Sequence, residues 1–170
     1  MLIILEGGDG SGKTTLCKQL VEAGAVANKI EFGCEDYFDK YTKLIMEEQY
    51  NIVDRSFITD LVYRLNDNKE RDVADLCGMS SILDGSQPYP ILIHCETETS
   101  FEDGMKRGED NITNKEDAEC IKVIYNLICK MIKKFTPTKV LKYNWKVNDV
   151  NDVIRFINSK SDYKNKLKEI

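Results

Sequence analysis

Residues 5–16 read LEGGDGSGKTTL and follow the chain's first apolar run, LIIL at residues 2–5, without a break. Gly7, Gly12, Lys13 and Thr14 satisfy the pattern Gly-x-x-x-x-Gly-Lys-Ser/Thr in full. Leu16 and Leu20 then repeat at i,i+4, as on a helix. Glycines let consecutive backbone N–H groups turn inward, and the helix N-terminus adds partial positive charge, so this is where a polyphosphate is held. The expected ATP cradle is Gly7, Gly8, Asp9, Gly10, Ser11, Gly12, Lys13, Thr14 and Thr15. Within it Lys13 would reach the β- and γ-phosphate oxygens, and the Thr14 hydroxyl would be a ligand of Mg²⁺.

Working outward, the pattern alternates between strand and helix. Strands are expected at residues 2–5, at KIEF (29–32), NIVD (51–54), ILIHC (91–95) and KVLKY (139–143). Helix faces are expected from Phe38, Tyr41 and Ile45; from Ile121, Ile124, Ile128, Met131 and Phe135; and from Val150, Val153, Ile154 and Ile157; a further helical stretch carries Phe57, Leu61, Tyr63 and Leu65. DGSQPYP (84–90) is a loop, and another helix ends near Gly108. The tail, residues 161–170, is expected to be solvated. This order predicts an α/β fold: a three-layer P-loop NTPase with a five-stranded parallel sheet and helices on both faces. The 170 residues suit one domain, spanning 1–170.

Composition narrows the function. A net charge of −5 and a pI near 5.1 argue against wrapping nucleic acid, which needs clustered lysine and arginine. No run approaches the length of a membrane span, and the early glycine loop leaves no room for a signal peptide, so a cytoplasmic protein is expected. Six cysteines without a Cys-x-x-Cys pair read as reduced, mostly buried thiols. His94, inside a strand, reads as a core residue.

The second informative stretch is NIVDRSFITDLVYR, residues 51–64. Asp54 ends a buried strand, at the sheet edge where ligands of open α/β sheets collect, and a carboxylate there would order Mg²⁺-bound water. Arg55 offers a planar fork for a second phosphate.

With these residues in place the chain resembles the thymidylate kinase branch of the P-loop nucleoside monophosphate kinases. EGGDGSGKTT is similar to that family's phosphate loop, DRSFITDLVY to its Asp-Arg motif, and MKRGEDNITNKED to the start of its lid, here about residues 107–117. The resemblance implies transfer of the ATP γ-phosphoryl group to the 5′-phosphate of a deoxynucleoside monophosphate, with Mg²⁺. It implies that Asp9 lies near the acceptor 3′-hydroxyl and its magnesium, that Arg55 holds the acceptor phosphate, and that Tyr63 excludes a ribose 2′-hydroxyl. Thr59 and Asp60 would face the base, and Arg107 would close over the transferring group. It also implies small-molecule nucleotide partners and a homodimer through helices beside the acceptor motif; fold analogy alone places an adenine-binding loop near residues 144–148.

The chain departs from the family in three places. EFGCEDYF stands where an arginine-bearing segment follows the second strand, leaving Arg64 or Arg71 as the alternative phosphate contact. The lid has no second arginine, and Lys115 is the nearest basic residue. Asp60 is a carboxylate where an uncharged residue is usual, which leaves the preferred base open. Two other readings stand beside it. DRS also resembles the Glu-Arg-Ser motif of deoxynucleoside kinases, with Glu35 or Asp36 as the required carboxylate. NKED (114–117) with DLCG (75–78) spells the guanine and Asp-x-x-Gly signatures of GTP switches, but neither follows a buried strand.

Overall fold

The computed structural model describes residues 1–30, 37–66, 78, 81–85, 88–106 and 114–170, the Tyr37 side chain excepted. The element order is β1 (Leu2–Glu6), α1 (Lys13–Glu22), β2 (Val26–Asn28), α2 (Tyr37–Met46), β3 (Asn51–Asp54), α3 (Phe57–Asn66), β4 (Ile91–Cys95), α4 (Ser100–Lys106), α5 (Lys115–Phe135), β5 (Lys139–Tyr143) and α6 (Val150–Ser159). The five strands form one parallel sheet in the order β2-β3-β1-β4-β5, so the fold is α/β of the P-loop type, as expected. Among the described residues no helix is long and apolar enough to cross a membrane.

β1 is buried along its whole length because both of its faces are covered. Leu2 and Ile4 join Val53 and Leu92 against residues of α2, α3 and α5. Ile3 and Leu5 join Ile52, Ile91 and Ile93 against α1 and α6. The alternation along one strand thus seeds two cores, one on each side of the sheet. Register then sets the site: Leu5 pairs with Asp54 and Glu6 with His94, which brings three polar side chains to the carboxyl edge.

Four local expectations are corrected. The second strand is Val26–Asn28 rather than 29–32; Gly24, at φ 110°, ends α1 and turns the chain directly into it. As an edge strand with Val26 and Ala27 exposed, it carries no apolar signal. In α2 Tyr41 and Ile45 are buried as expected, whereas Phe38 is exposed; α3 buries Phe57, Ile58, Thr59 and Val62. In α5 the inward face is Ile121, Tyr125, Ile128, Cys129 and Ile132, and Met131 and Phe135 face solvent. The tail packs: Leu167 is buried against the α1–α6 core, and the Lys168 N–H donates to the Ala23 carbonyl at 2.9 Å.

NKED has a structural role. Asn114 is the N-cap of α5, its side-chain oxygen accepting from the Asp117 N–H at 2.8 Å. Cys95 and Cys129 are buried, Cys17 half-buried and Cys120 exposed, all as free thiols. Cys34, Cys77, Glu35, Asp36, Arg71 and most of DLCG lie outside the described residues.

Candidate functional site

The phosphate loop is closed by conformations that only glycine adopts without strain. Gly10 (φ 78°) and Gly12 (φ 92°) lie in the left-handed region, and a methyl on Gly10 would collide with the Ser100 carbonyl of α4. Gly104, also in α4, lies against the Asp9 and Gly10 backbone, at 3.5 Å from where its Cβ would stand. The loop is therefore backed directly by the helix that leads into residues 107–113. On its other side the Trp145 ring covers Gly12, 2.5 Å from a Cβ placed there.

Lys13, almost fully buried, donates to the carbonyls of Gly7 (2.7 Å) and Gly8 (2.8 Å). Burial pushes its pKa down, aided by Arg55, while Asp9 and Asp54 push the other way. Thr14 and Thr15 open α1 and are exposed. Gly10, Ser11, Gly12, Lys13 and Thr14 share one cleft with Asp54 and Arg55.

The Asp54 Oδ1 atom is buried without a hydrogen-bond partner among the described residues. An unpaired carboxylate oxygen beside a hydroxyl suits Mg²⁺, which keeps several waters and takes few protein ligands. Thr14 and Asp54 fit that ion. Among the described residues there is no larger cluster of His, Cys, Asp or Glu for a metal.

Arg55 follows Asp54 with φ 66°, the only positive value at a non-glycine residue among those described. Its N–H donates to the Leu5 carbonyl at 3.1 Å, and its guanidinium pairs with the nearly buried Asp9 carboxylate. The other Asp9 oxygen, Oδ2, is buried without a partner among the described residues. Asp9 and Arg55, assigned to the acceptor side from sequence, are thus brought together beside the phosphate cleft. Tyr63, half-buried, is close enough to interact electrostatically with Arg55. Asp60 pairs with Arg64 along α3 at 3.0 Å. The Thr59 hydroxyl donates to the buried Glu6 carboxylate. Arg107 lies outside the described residues, and Lys115, at the start of α5, pairs with Glu102 of α4 at 3.8 Å.

Sequence reasoning missed Glu6. It is fully buried, and Oε1 accepts from the Ser56 N–H (2.7 Å) and hydroxyl (2.5 Å). Oε2 accepts from the Thr59 hydroxyl (2.5 Å) and from Tyr125 of α5 (3.3 Å). Burial raises the Glu6 pKa against these bonds. The carboxylate fastens the turn after Arg55 to β1 and to α5, which makes it a positioning residue. An acid ending an apolar run is the signal that would have found it. Tyr125 was hidden because Ile124, not Tyr125, was read as facing inward. His94 stacks on Tyr125 with ring centroids 5.7 Å apart, its Nδ1 has no partner among the described residues, and burial lowers its pKa to about 4.

The β5–α6 loop carries Trp145 and Lys146. Lys146 pairs with Asp103 of α4 at 2.8 Å and also donates to Thr99, tying the loop that covers Gly12 to the helix that backs Gly10. Sequence had marked residues 144–148 by fold analogy alone.

No protein-family model matches the chain, and no curated protein does. Solved structures match it along nearly their full length. YorR from Bacillus subtilis, in complex with phosphorylated GDP, superposes with a TM-score of 0.64 at 18% identity, over 92% of this chain and 93% of its own. Deoxyadenosine kinase from M. mycoides with bound dCTP gives 0.60 at 19% identity, over 94% and 100%. Thymidylate kinase from Ehrlichia chaffeensis gives 0.54 at 16% identity, over 92% and 98%. The chain has the fold that these P-loop kinases share.

Proposed function

We propose that the chain is a Mg²⁺-dependent nucleotide kinase that transfers the γ-phosphoryl group of ATP to the 5′-phosphate of a deoxynucleoside monophosphate. The observation that carries this reading is the Asp9–Arg55 pair beside the phosphate cleft. One cation, Lys13, belongs to the donor loop; the second, Arg55, is held at its edge by a carboxylate that the phosphate-loop pattern does not require.

An oxygen of the acceptor 5′-phosphate attacks the γ-phosphorus, the bond to the β–γ bridging oxygen breaks, and ADP leaves with that electron pair. The attacking oxygen is already deprotonated near neutral pH, so the site has to align and neutralise rather than abstract a proton. Thr14 and Asp54 would hold Mg²⁺, which supplies positive charge to the triphosphate when bound. Lys13 exchanges its Gly7 and Gly8 carbonyls for phosphate oxygens. Arg55 grips the acceptor phosphate with its fork, and Asp9 sets the fork's orientation. Tyr63 would exclude a 2′-hydroxyl, Arg107 would close over the transferring group, and Asp60 and Arg64 would flank the base end. The resemblance to thymidylate kinases adds weight to the nucleotide acceptor.

One observation favours a second reading. The Asp9 Oδ2 atom, buried without a partner among the described residues, would accept a proton from a hydroxyl, as phosphorylation of a nucleoside 5′-hydroxyl requires. ADP release from ATP and Mg²⁺, measured over a panel of deoxy- and ribonucleoside monophosphates and nucleosides with Lys13→Ala as control, separates the two. Turnover with monophosphates is expected. Turnover with nucleosides alone transfers the site to the second reading, and no acceptor-dependent turnover overturns both.

A further inference from the structure

A second cleft adjoins the phosphate loop at Gly8 and Asp9 and runs between α4 and α5 over the end of β4. Its walls are apolar and aromatic, with Phe101 from α4 and Ile121 and Tyr125 from α5. Two of its lining side chains, His94 and Asp9, are 2% and 6% exposed. Each carries a buried polar atom, Nδ1 and Oδ2, without a partner among the described residues. Buried polar groups are normally hydrogen-bonded, so two orphans on one cleft mark where a ligand supplies the missing donors. The charge at the mouth says which kind of ligand. Five lining residues are acids and two are lysines. Lys115 is spent on Glu102 at 3.8 Å and Lys122 on Glu96 at 3.7 Å, while Asp9 holds Arg55 through Oδ1. Glu98, just before α4, and Glu119, on α5, are exposed and have no ion-pair partner among the described residues.

We propose that this cleft binds a short alkyl diamine. One ammonium sits at the inner end between Asp9 and His94, the other at the mouth between Glu98 and Glu119, and the methylene chain lies on Phe101, Ile121 and the Tyr125 ring. An ammonium brings three N–H donors and is attracted both by carboxylates and by aromatic faces. His94 accepts one of these donors as a neutral imidazole, since burial holds its pKa at about 4. The same residues disfavour other ligands. A phosphate or a nucleotide meets an acidic mouth. A divalent metal needs several oxygen ligands close together, and no group of three His, Cys, Asp or Glu that could hold one exists among the described residues. A neutral diol gains nothing from Glu98 and Glu119. The cleft depends on no assignment of substrate, and Asp9 is the one side chain it shares with the proposed acceptor site.

His94 is the single histidine of the chain, so its imidazole proton resonances report from inside the cleft without ambiguity. Titration with 1,4-diaminobutane at constant pH and ionic strength is expected to shift them saturably, with a Kd below about 1 mM. Butane-1,4-diol, of the same length without charge, and succinate, of opposite charge, give no saturable shift up to about 20 mM. Glu98→Gln and Glu119→Gln each raise the diamine Kd by about three- to tenfold, and together by about the product of the two. Glu116→Gln, an equally exposed acid of α5 that does not line the cleft, leaves Kd within about twofold of the parent. These positions are exposed, and a circular dichroism melt confirms that each variant is folded. If one of the two lining variants misfolds, the other decides. A diamine that leaves the His94 resonances in place overturns the proposal, as does a diol or succinate that binds as well. So does a Kd indifferent to Glu98→Gln and Glu119→Gln, or one raised as much by Glu116→Gln, which marks attraction to the acidic surface at large.

Discussion

Arg55 and Asp9 join the carboxyl end of β3 to the phosphate loop, and Arg55 holds this position with a left-handed backbone at φ 66°. A non-glycine residue there costs on the order of 1 kcal/mol, so the surroundings must impose it. They do: the Arg55 N–H bonds to β1, and the Ser56 N–H that follows bonds to Glu6. The strained residue and its aim are fixed from two sides.

Replacing Arg55 by lysine keeps the charge and removes the fork. Under the proposed function, Arg55→Lys raises the acceptor KM by about tenfold or more, while the ATP Kd changes by less than about threefold. Steady-state kinetics with the best acceptor, together with ATP titration, checks both. An unchanged acceptor KM and rate would remove Arg55 from the acceptor site.

Glu6 acts on the same turn from below. Glu6→Ala leaves the Ser56 N–H and the Thr59 and Tyr125 hydroxyls without their buried acceptor, at a cost of about 3–5 kcal/mol. Glu6→Gln keeps one oxygen for the Ser56 N–H, and hydroxyls can rotate to accept, so its cost is about 1–2 kcal/mol. Urea unfolding ranks the three proteins as parent, Gln variant, Ala variant. Equal loss in both variants would refute the account of the network.

What was legible in the sequence follows from where one interaction dominates. Strand β1 and the loop Gly7–Thr14 are read directly because burial on both faces and glycine geometry leave few alternatives. Asp54 and Arg55 follow from their place at a strand end. Periodicity fails on α5, where apolar residues line both sides: Ile121 and Ile128 were placed inward correctly, Met131 and Phe135 were not, and Tyr125 was overlooked. It fails on β2, an exposed edge strand set by its pairing with β3, and on the tail, where Leu167 is buried by contacts distant in sequence.

The glycines of the loop are not equivalent. Gly10→Ala combines positive φ with a collision against Ser100, and is expected to cost at least about 2–4 kcal/mol and to displace α4. Gly8 has no heavy atom within 4 Å of a placed Cβ, so Gly8→Ala leaves stability within about 0.5 kcal/mol of the parent. Thermal melts of the two variants compare them. A Gly10→Ala melt equal to that of the parent would contradict the packing of α4 on the loop.

His94 predicts a dependence of stability on pH. Burial lowers its pKa from 6.5 to about 4, with Glu96 opposing and Lys142 and Lys13 assisting. As pH falls from about 6.5 toward 4, the unfolded chain takes up a proton that the folded chain refuses, so stability is lost on acidification in that window. The loss is at most about 3 kcal/mol and levels off below pH 4. His94→Phe keeps the stacking on Tyr125 and removes the titration. The difference in unfolding free energy between parent and variant therefore shifts toward the variant between pH 6.5 and 4. A pH-independent difference would show that His94 titrates normally.

Trp145 is the single tryptophan of the chain, and it lies on Gly12. Lys146 sits over its ring at 5.1 Å and is tied to Asp103 of α4. Any ligand that enters the phosphate loop therefore alters the surroundings of this one fluorophore. ATP with Mg²⁺ is expected to change its emission saturably, and Lys13→Ala to abolish the change or move it to concentrations about a hundredfold higher. Lys146→Ala removes the link to α4 and leaves Trp145 on Gly12 as the loop's contact with the phosphate loop. That variant should show a weaker emission change and an ATP Kd raised by about three- to tenfold, while acceptor KM stays near the parent value. If Lys146→Ala altered acceptor KM and left ATP binding intact, the loop would belong to the acceptor side, and the division of the cleft between Lys13 and Arg55 would have to be reversed.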